Sequence, residues 1–306
     1  MKFELTILGN TSPFPSKGRL PTSQILNINE RLYLIDCGEG TQIRMNELGI
    51  KRMKIDHIFI SHLHGDHYYG LFGLLGSYRV SRRTQPLHIH CPEGLKELIE
   101  FEAKISYAGE FMFPLHFHTT NAKKAEKILD NKDLEVSTIP LRHGEIPTTG
   151  FLFREKTGER KMIKSKIKEY NIPFQKIPAI KKGGFFKLPN GKVIKNTELT
   201  LAPPPAKTYA FCSDTAYFTG LIPFIKNVDL LYHEATFNAE DGVDAGKKGH
   251  SSTLEAAKIA KKGKVKKLII GHFSTRYRDL EALADESRTI FENTEVAEEK
   301  KTFVIA

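Results

Sequence analysis

Six consecutive residues, His62-Leu63-His64-Gly65-Asp66-His67, put four metal-ligand side chains into one short stretch. The run before them, Ile58-Phe59-Ile60-Ser61, reads as a buried strand. Imidazoles and a carboxylate crowded beyond a strand end repel one another and lose water. A divalent cation holds such a group together, and neutral imidazole and carboxylate are zinc ligands at about 2.0–2.2 Å. His62 and His64 alternate toward one side of the turn. Asp66 and His67 can point to the other, which invites two ions. The three cysteines, Cys37, Cys91 and Cys212, are too far apart for a metal knuckle. Any metal site is therefore built from histidine and carboxylate. An odd, sparse count also argues against a disulfide framework and for a reducing compartment, with the three thiols as buried small residues.

The surrounding pattern predicts a layered fold. Glu4–Leu8, Ser23–Ile28, Leu32–Ile35, Asp56–Ser61, Leu87–His90, Glu135–Pro140, Gly150–Phe153, Tyr209–Ser213, Leu230–His233 and Lys267–Gly271 read as strands. Gly70–Tyr78, Pro92–Phe101 and Thr253–Lys261 read as helices, the last with Ser251 or Ser252 as its cap. Residues 120–135 read as helical and then polar. Mixed strands and helices give an α/β or layered α+β class. A chain of 306 residues can bury a large core. No apolar run is long enough to span a bilayer, and the strand-like N-terminus carries no signal-peptide stretch. A cytoplasmic protein with no membrane partner is expected.

The chain carries a net charge of +10. Its excess is confined to residues 154–195, which hold 13 Lys/Arg against three acids, while the rest is neutral. Tyr170, Phe174, Phe185 and Phe186 interleave with the lysines, and Pro173, Pro178, Gly183-Gly184 and Asn190-Gly191 punctuate them. Pro203-Pro204-Pro205 closes the segment as a stiff connector. A run of solvated lysines on a surface hairpin would look similar. The confinement of charge and the interleaved aromatics favour an arm for a polyanion, with nucleic acid the obvious partner.

His-x-His-x-Asp-His is the signature of the metallo-β-lactamase fold, and most of the chain resembles one branch of it, ribonuclease Z. The stretch Leu8-Gly9-Asn10-Thr11-Ser12-Pro13 to Arg19 is similar to that family's first glycine-rich turn. Asp36-Cys37-Gly38-Glu39-Gly40-Thr41-Gln42 matches its D-C-G-E-G-T-Q stretch. His143-Gly144, Asp214 and His272 stand where the family has its later metal motifs. His233-Glu234-Ala235-Thr236 and His250-Ser251-Ser252-Thr253 resemble its H-E-A-T and H-S-T loops. Cys212-Ser213 before Asp214 departs from the family's usual Ser-Gly.

The resemblance implies one domain over 1–306, an αββα sandwich with a basic tRNA-binding arm, an exosite, inserted at 154–195. It implies two Zn²⁺ per subunit, with Mn²⁺ also suited to these ligands. One ion takes His62, His64 and His143; the other takes Asp66, His67 and His272; Asp214 spans both. Asp66, Glu234 and His250 are implied as catalytic, Glu234 and His250 facing the metals. Lys164, Lys166, Lys168, Lys176, Lys181 and Lys182 are the arm's candidate contacts. The activity implied is zinc-dependent removal of the 3′ trailer from precursor tRNA, leaving a 3′-hydroxyl on the tRNA and a 5′-phosphate on the trailer. A homodimer is implied and no DNA partner. The competing reading is a hydrolase of the same fold acting on small phosphodiesters or esters. His57, His88, His90, His116 and His118 lie outside every motif and read as structural or surface residues, and His233 as support for the fold.

Overall fold

Two seven-stranded mixed sheets carry the chain. The computed structural model describes residues 2–107, 109 and 111–305. It begins with β1 (Phe3–Gly9), β2 (Ser23–Ile28), β3 (Arg31–Cys37), β4 (Ile55–Phe59) and helix α1 (Gly65–Val80). Then come β5 (Leu87–Cys91), α2 (Leu95–Ser106), β6 (Leu115–Thr119), β7 (Lys127–Asp130), β8 (Leu134–Pro140) and β9 (Thr149–Glu155). The last part holds β10 (Thr208–Cys212), β11 (Leu230–Glu234), α3 (Thr253–Gly263), β12 (Lys267–Gly271), α4 (Leu280–Arg288), β13 (Thr294–Val296) and β14 (Thr302–Val304).

The first sheet has the order β14-β1-β2-β3-β4-β5-β6 and is parallel from β3 to β6. The second has the order β13-β12-β11-β10-β9-β8-β7 and is parallel from β13 to β10. Parallel strands require cover on both faces, and four layers provide it. Phe3, Leu5, Tyr33 and Phe59 of the first sheet share one buried cluster with Phe151, Phe153, Phe211 and Tyr232 of the second. On the far face of the first sheet, Leu71, Leu74 and Tyr78 of α1 and Ile99 of α2 pack with Leu34, Ile58 and Ile89. On the far face of the second, Ala256, Ile259 and Ala260 of α3 and Leu283 of α4 pack with Leu231, Leu268 and Ile270. The result is an αββα sandwich.

Helix α1 and residues 127–130 differ from the sequence reading, which also placed no element at β6, α4, β13 or β14. Helix α1 starts at Gly65 rather than Gly70, so Asp66 and His67 lie in its first turn, where the helix dipole favours a carboxylate. Residues 127–130 are a strand, not a helix. They form a hairpin with β8 in which Leu129 pairs with Val136. Asn131 Oδ1 accepts from the backbone N–H of Asp133 and Leu134 at 2.9 Å each, which makes the turn. Ile128 and Leu129 pack against the inter-sheet cluster, so tertiary burial overrides local propensity.

Residues Glu155–Ala206 form a compact unit distinct from the one made by Met1–Arg154 and Lys207–Ala306. The smaller unit has short helices at Lys164–Glu169 and Ile177–Lys181 and two-stranded ladders pairing Phe186–Lys187 with Val193–Ile194 and Lys161–Met162 with Thr200–Leu201. Ile172, Ile180, Ile194 and Leu199 form its small core.

Candidate metal centre

The ends of strands from both sheets supply the centre. His62 follows β4, and α1 opens on Asp66 and His67. Asp214 comes two residues after β10, Glu234 closes β11, and His272 follows β12. His64 Nδ1 lies 3.1 Å from His62 Nε2 and 3.2 Å from His143 Nε2. Asp214 Oδ2 lies 3.6 and 3.8 Å from those same two Nε2 atoms. In a second group, His272 Nε2 lies 3.3 Å from both His67 Nε2 and Asp66 Oδ2. Asp214 Oδ1 lies 3.4 Å from His67 Nε2 and 3.2 Å from His272 Nε2. One carboxylate thus gives an oxygen to each group.

The outer nitrogen of four of these rings is already committed. His67 Nδ1 donates to Asp36 Oδ2 at 2.7 Å and His143 Nδ1 to the Gly249 carbonyl at 2.8 Å. His272 Nδ1 bonds Thr236 Oγ1 at 2.9 Å and His62 Nδ1 bonds Ser61 Oγ at 3.1 Å. With Nδ1 protonated, each Nε2 lone pair is left aimed at its neighbours. Asp214 Oδ1 is buried and takes no hydrogen bond among the described residues. Facing lone pairs and an unpartnered buried carboxylate oxygen fit divalent cations, as the donor chemistry requires.

Charge in the centre follows from burial against pairing. Burial opposes ionisation of Asp214 and Asp66, but the surrounding imidazoles outweigh it and hold both carboxyls below the usual range. Burial holds His62 well below the ordinary imidazole range and also lowers His64. Asp214, Asp66 and Asp36 overcome the burial of His67 and move it well up, so its Nε2 holds a proton whose place a bound cation would take.

Glu234 is fully buried, and both its oxygens are spent on hydrogen bonds. Oε1 accepts from Thr215 N, Ser251 N and His250 Nδ1, each at 3.0 Å. Oε2 accepts from Thr236 N at 2.9 Å and Thr236 Oγ1 at 2.8 Å. Its carboxylate therefore holds His250 rather than facing the ligand groups. Burial pulls the His250 imidazolium down, but Glu234 and Asp214 carry it up to about 9. His250, with His64, His143, Asp66 and Asp214, lines a cleft of about 540 Å³.

Three supporting residues carried no assigned role in the sequence reading: Asp36, Thr236 and Gly249. Asp36 sits inside the D-C-G-E-G-T-Q stretch. It accepts from Ser61 N at 2.8 Å and Ser61 Oγ at 2.9 Å as well as from His67. Asp36 and His272 both have positive φ, +53° and +59°, a conformation uncommon outside glycine. Gly249 has φ +73°, and a Cβ there would meet Gly144 N at 2.8 Å, so only glycine brings this carbonyl onto His143. Ser213, the departure beside Asp214, bonds Ser61 Oγ at 2.9 Å and so joins the same network.

In the separate basic unit, Lys164, Lys168, Lys176 and Lys182 are exposed. Lys166 and Lys181 are half-buried and paired, Lys166 with Glu169 at 2.7 Å and Lys181 with Glu159 at 3.3 Å. Phe174 and Phe185 are exposed beside them.

Residues 3–171 match the family described as anti-Pycsar protein Apyc1. Ribonuclease Z relatives match over nearly the full length. The chain is 43% identical to that of Bacteroides thetaiotaomicron, covering 99% of this chain and 96% of the relative. It is 42% identical to that of Cytophaga hutchinsonii, covering 100% and 97%. Among solved structures, human tRNase Z, short form, superposes with a TM-score of 0.71 at 24% identity, over 99% of both chains. The metallo-β-lactamase fold protein YhfI of Bacillus subtilis gives 0.69 at 19% identity, over 99% of this chain and 100% of the other. The Apyc1 match ends inside the basic unit, before Asp214, Glu234, His250 and His272. The ribonuclease Z matches run through all of them.

Proposed function

The chain belongs to the ribonuclease Z family, its residues 3–171 also carrying the Apyc1 family pattern, and we infer that it is a metal-dependent endoribonuclease that removes the 3′ trailer of precursor tRNA. The observation that carries the reading is full-length likeness to ribonuclease Z above 40% identity. We propose two Zn²⁺ per subunit, one held by His62, His64 and His143, the other by Asp66, His67 and His272, with Asp214 between them.

Bound there, the ions supply Lewis acidity toward the scissile phosphate and lower the pKa of water. The protein's own groups handle the protons. Asp66, at the cleft wall, orients the attacking water or takes its proton. The leaving ribose O3′ has a high pKa and needs a proton as the P–O bond breaks. His250 donates it: Nδ1 is held by Glu234, and Nε2 is the nitrogen left to the substrate. Asp66 and His250 are thus the catalytic residues proposed here, and Glu234 positions His250. The products are a tRNA 3′-hydroxyl and a trailer 5′-phosphate.

The basic unit is proposed to grip the tRNA away from the cut, through phosphate contacts and shape. Lys164, Lys168, Lys176 and Lys182 are its proposed contacts. Lys166 and Lys181 act there by giving up their acidic partners. A homodimer is proposed, a reading supported by the exposed apolar stripe Leu98, Phe101 and Ile105 on α2. A cytoplasmic location is proposed from the three buried free thiols. No described helix is long and apolar enough to cross a membrane.

The test is cleavage of an end-labelled precursor tRNA with and without Zn²⁺ or Mn²⁺, beside bis-(p-nitrophenyl) phosphate. One metal-dependent cut just after the discriminator base is expected. Turnover of the small diester with an untouched tRNA would favour the small-substrate hydrolase.

A further inference from the structure

The cleft at the ligand groups has an aromatic wall that the mechanism does not use. Phe14 and Tyr69 line it, together with Pro13, Pro15 and Pro21. Phe14 is 56% and Tyr69 60% exposed, so two large rings stand open to solvent beside a charged centre. Aromatic surface left open in a concave site marks a binding groove rather than an ordinary solvent face. Helix α1 places Tyr69. Side chains of a helix lean back toward its N-terminus, so Tyr69 covers the first turn, which carries Asp66. Its ring lies against Gly65, where a Cβ would meet the ring at 2.1 Å, so glycine at 65 is what admits it. Tyr68, buried in the core, packs against Tyr69 with ring centroids 5.0 Å apart. The proline-rich segment joins the same wall through Gly38. A Cβ on Gly38 would meet the Asp66 carbonyl oxygen at 2.4 Å and Pro21 Cβ at 2.6 Å.

We propose that Phe14 and Tyr69 form a nucleobase-stacking subsite for the single-stranded nucleotides that border the scissile phosphate. The inference rests on the reading of the chain as an RNA-cleaving enzyme and adds to it what holds the strand at the cut. The charges in the cleft favour a base over a phosphate against these rings. Glu39 and Asp66 line the cleft with them, and Lys248 is the one Lys or Arg among the lining residues. A phosphate is drawn to Lys248 and the metal centre. A base, flat and uncharged, suits the rings. Every base has a π-face, so the contact holds the strand without reading its sequence. Stacking fixes the nucleotide beside the cut and so keeps the phosphorus at the centre.

The test measures kcat/KM on precursor tRNA with zinc-loaded full-length protein. Tyr69→Leu keeps the apolar bulk and removes the π-face. It is expected to lower kcat/KM about fivefold or more, the size of one stacked base, and Phe14→Leu acts in the same direction. Tyr69→Phe and Tyr69→Trp retain the value of the unaltered protein. Precursors abasic at the discriminator nucleotide or at the first trailer nucleotide tell which side of the cut is stacked. The abasic position that removes the stacked base lowers kcat/KM of the unaltered protein by the same factor, and Tyr69→Leu adds no further loss on that substrate. An unchanged kcat/KM for Tyr69→Leu overturns the proposal, as do losses that multiply on both abasic substrates. The chain has no tryptophan, so Tyr69→Trp is also a single fluorophore whose readout needs neither cleavage nor a folded leucine variant. A short oligoribonucleotide is expected to quench its emission, and the same strand made of abasic residues is not. Equal effects of the two strands overturn the stacking. Quenching by the base-bearing strand alone, in a protein that leaves precursor tRNA uncut, would keep the subsite and remove the trailer-processing reading.

Discussion

Asp214 concentrates the energetics of the centre. Its two oxygens address two ligand groups, and it is buried with only imidazoles to balance its charge. Asp214→Ala is expected to abolish hydrolysis of both precursor tRNA and the small diester while circular dichroism keeps the native signature. Unchanged turnover on either substrate would sink the bridging role. Asp36 acts at one remove. It fixes the ring of His67 and takes two bonds from Ser61, which itself bonds His62. Outer partners of this kind carry about 10–100-fold of metal affinity. Asp36→Asn should therefore weaken Zn²⁺ binding by about that factor in a chelator competition. An affinity equal to that of the unaltered protein would show that His67 needs no such partner. Asp36 was legible as part of a motif, but its role was not. That role depends on a positive φ and on a contact 31 residues away in sequence.

At the scale of elements, β4, β5 and β6 carry a cost in acid. Unfolded histidines bind protons near pH 6.5, whereas burial and neighbouring imidazoles push His57 down to about 4 and His90 to about 2. Between these values the unfolded chain binds more protons than the folded one, so stability falls as pH drops below about 6.5. For His57 the shift is worth about 3 kcal/mol once pH falls through its folded value. His57 stacks on Tyr33 and Phe59, so phenylalanine can take its place. Urea midpoints of His57→Phe in metal-free buffer should vary less between pH 7.5 and 5 than those of the unaltered chain. Parallel slopes would contradict the assignment. Strands β1 to β5 of this sheet were visible in the sequence, whereas β6 and β14 were not read as strands. The β7–β8 hairpin was not, because its pairing is decided by burial against the inter-sheet cluster.

Over the whole molecule, charge and chemistry are segregated. The basic excess sits almost entirely in the unit Glu155–Ala206, and the ligand groups sit in the other. Under the proposed tRNA-gripping role of that unit, binding energy gathered there positions the acceptor end without entering the reaction itself. Removing residues 155–194 should depress precursor-tRNA cleavage by at least tenfold more than turnover of bis-(p-nitrophenyl) phosphate. Equal losses on the two substrates would contradict a tRNA-gripping role for the unit.

The sequence alone determined the ligand chemistry, the layered class and the place of the charge. Each is written locally, in a six-residue ligand motif, in strand and helix periodicity, and in one run of lysines. Tertiary structure decided what depends on approach between distant segments. It brought His143 to His64 across 79 residues and His272 to Asp66 across 206. It turned Glu234 inward onto five donors and left His250 as the group at the cleft. It also gathered five histidines, read from the sequence only as structural or surface residues, into stacked rows. Strand register and the facing of two sheets are set by which apolar faces must be buried together, and no local spacing encodes that.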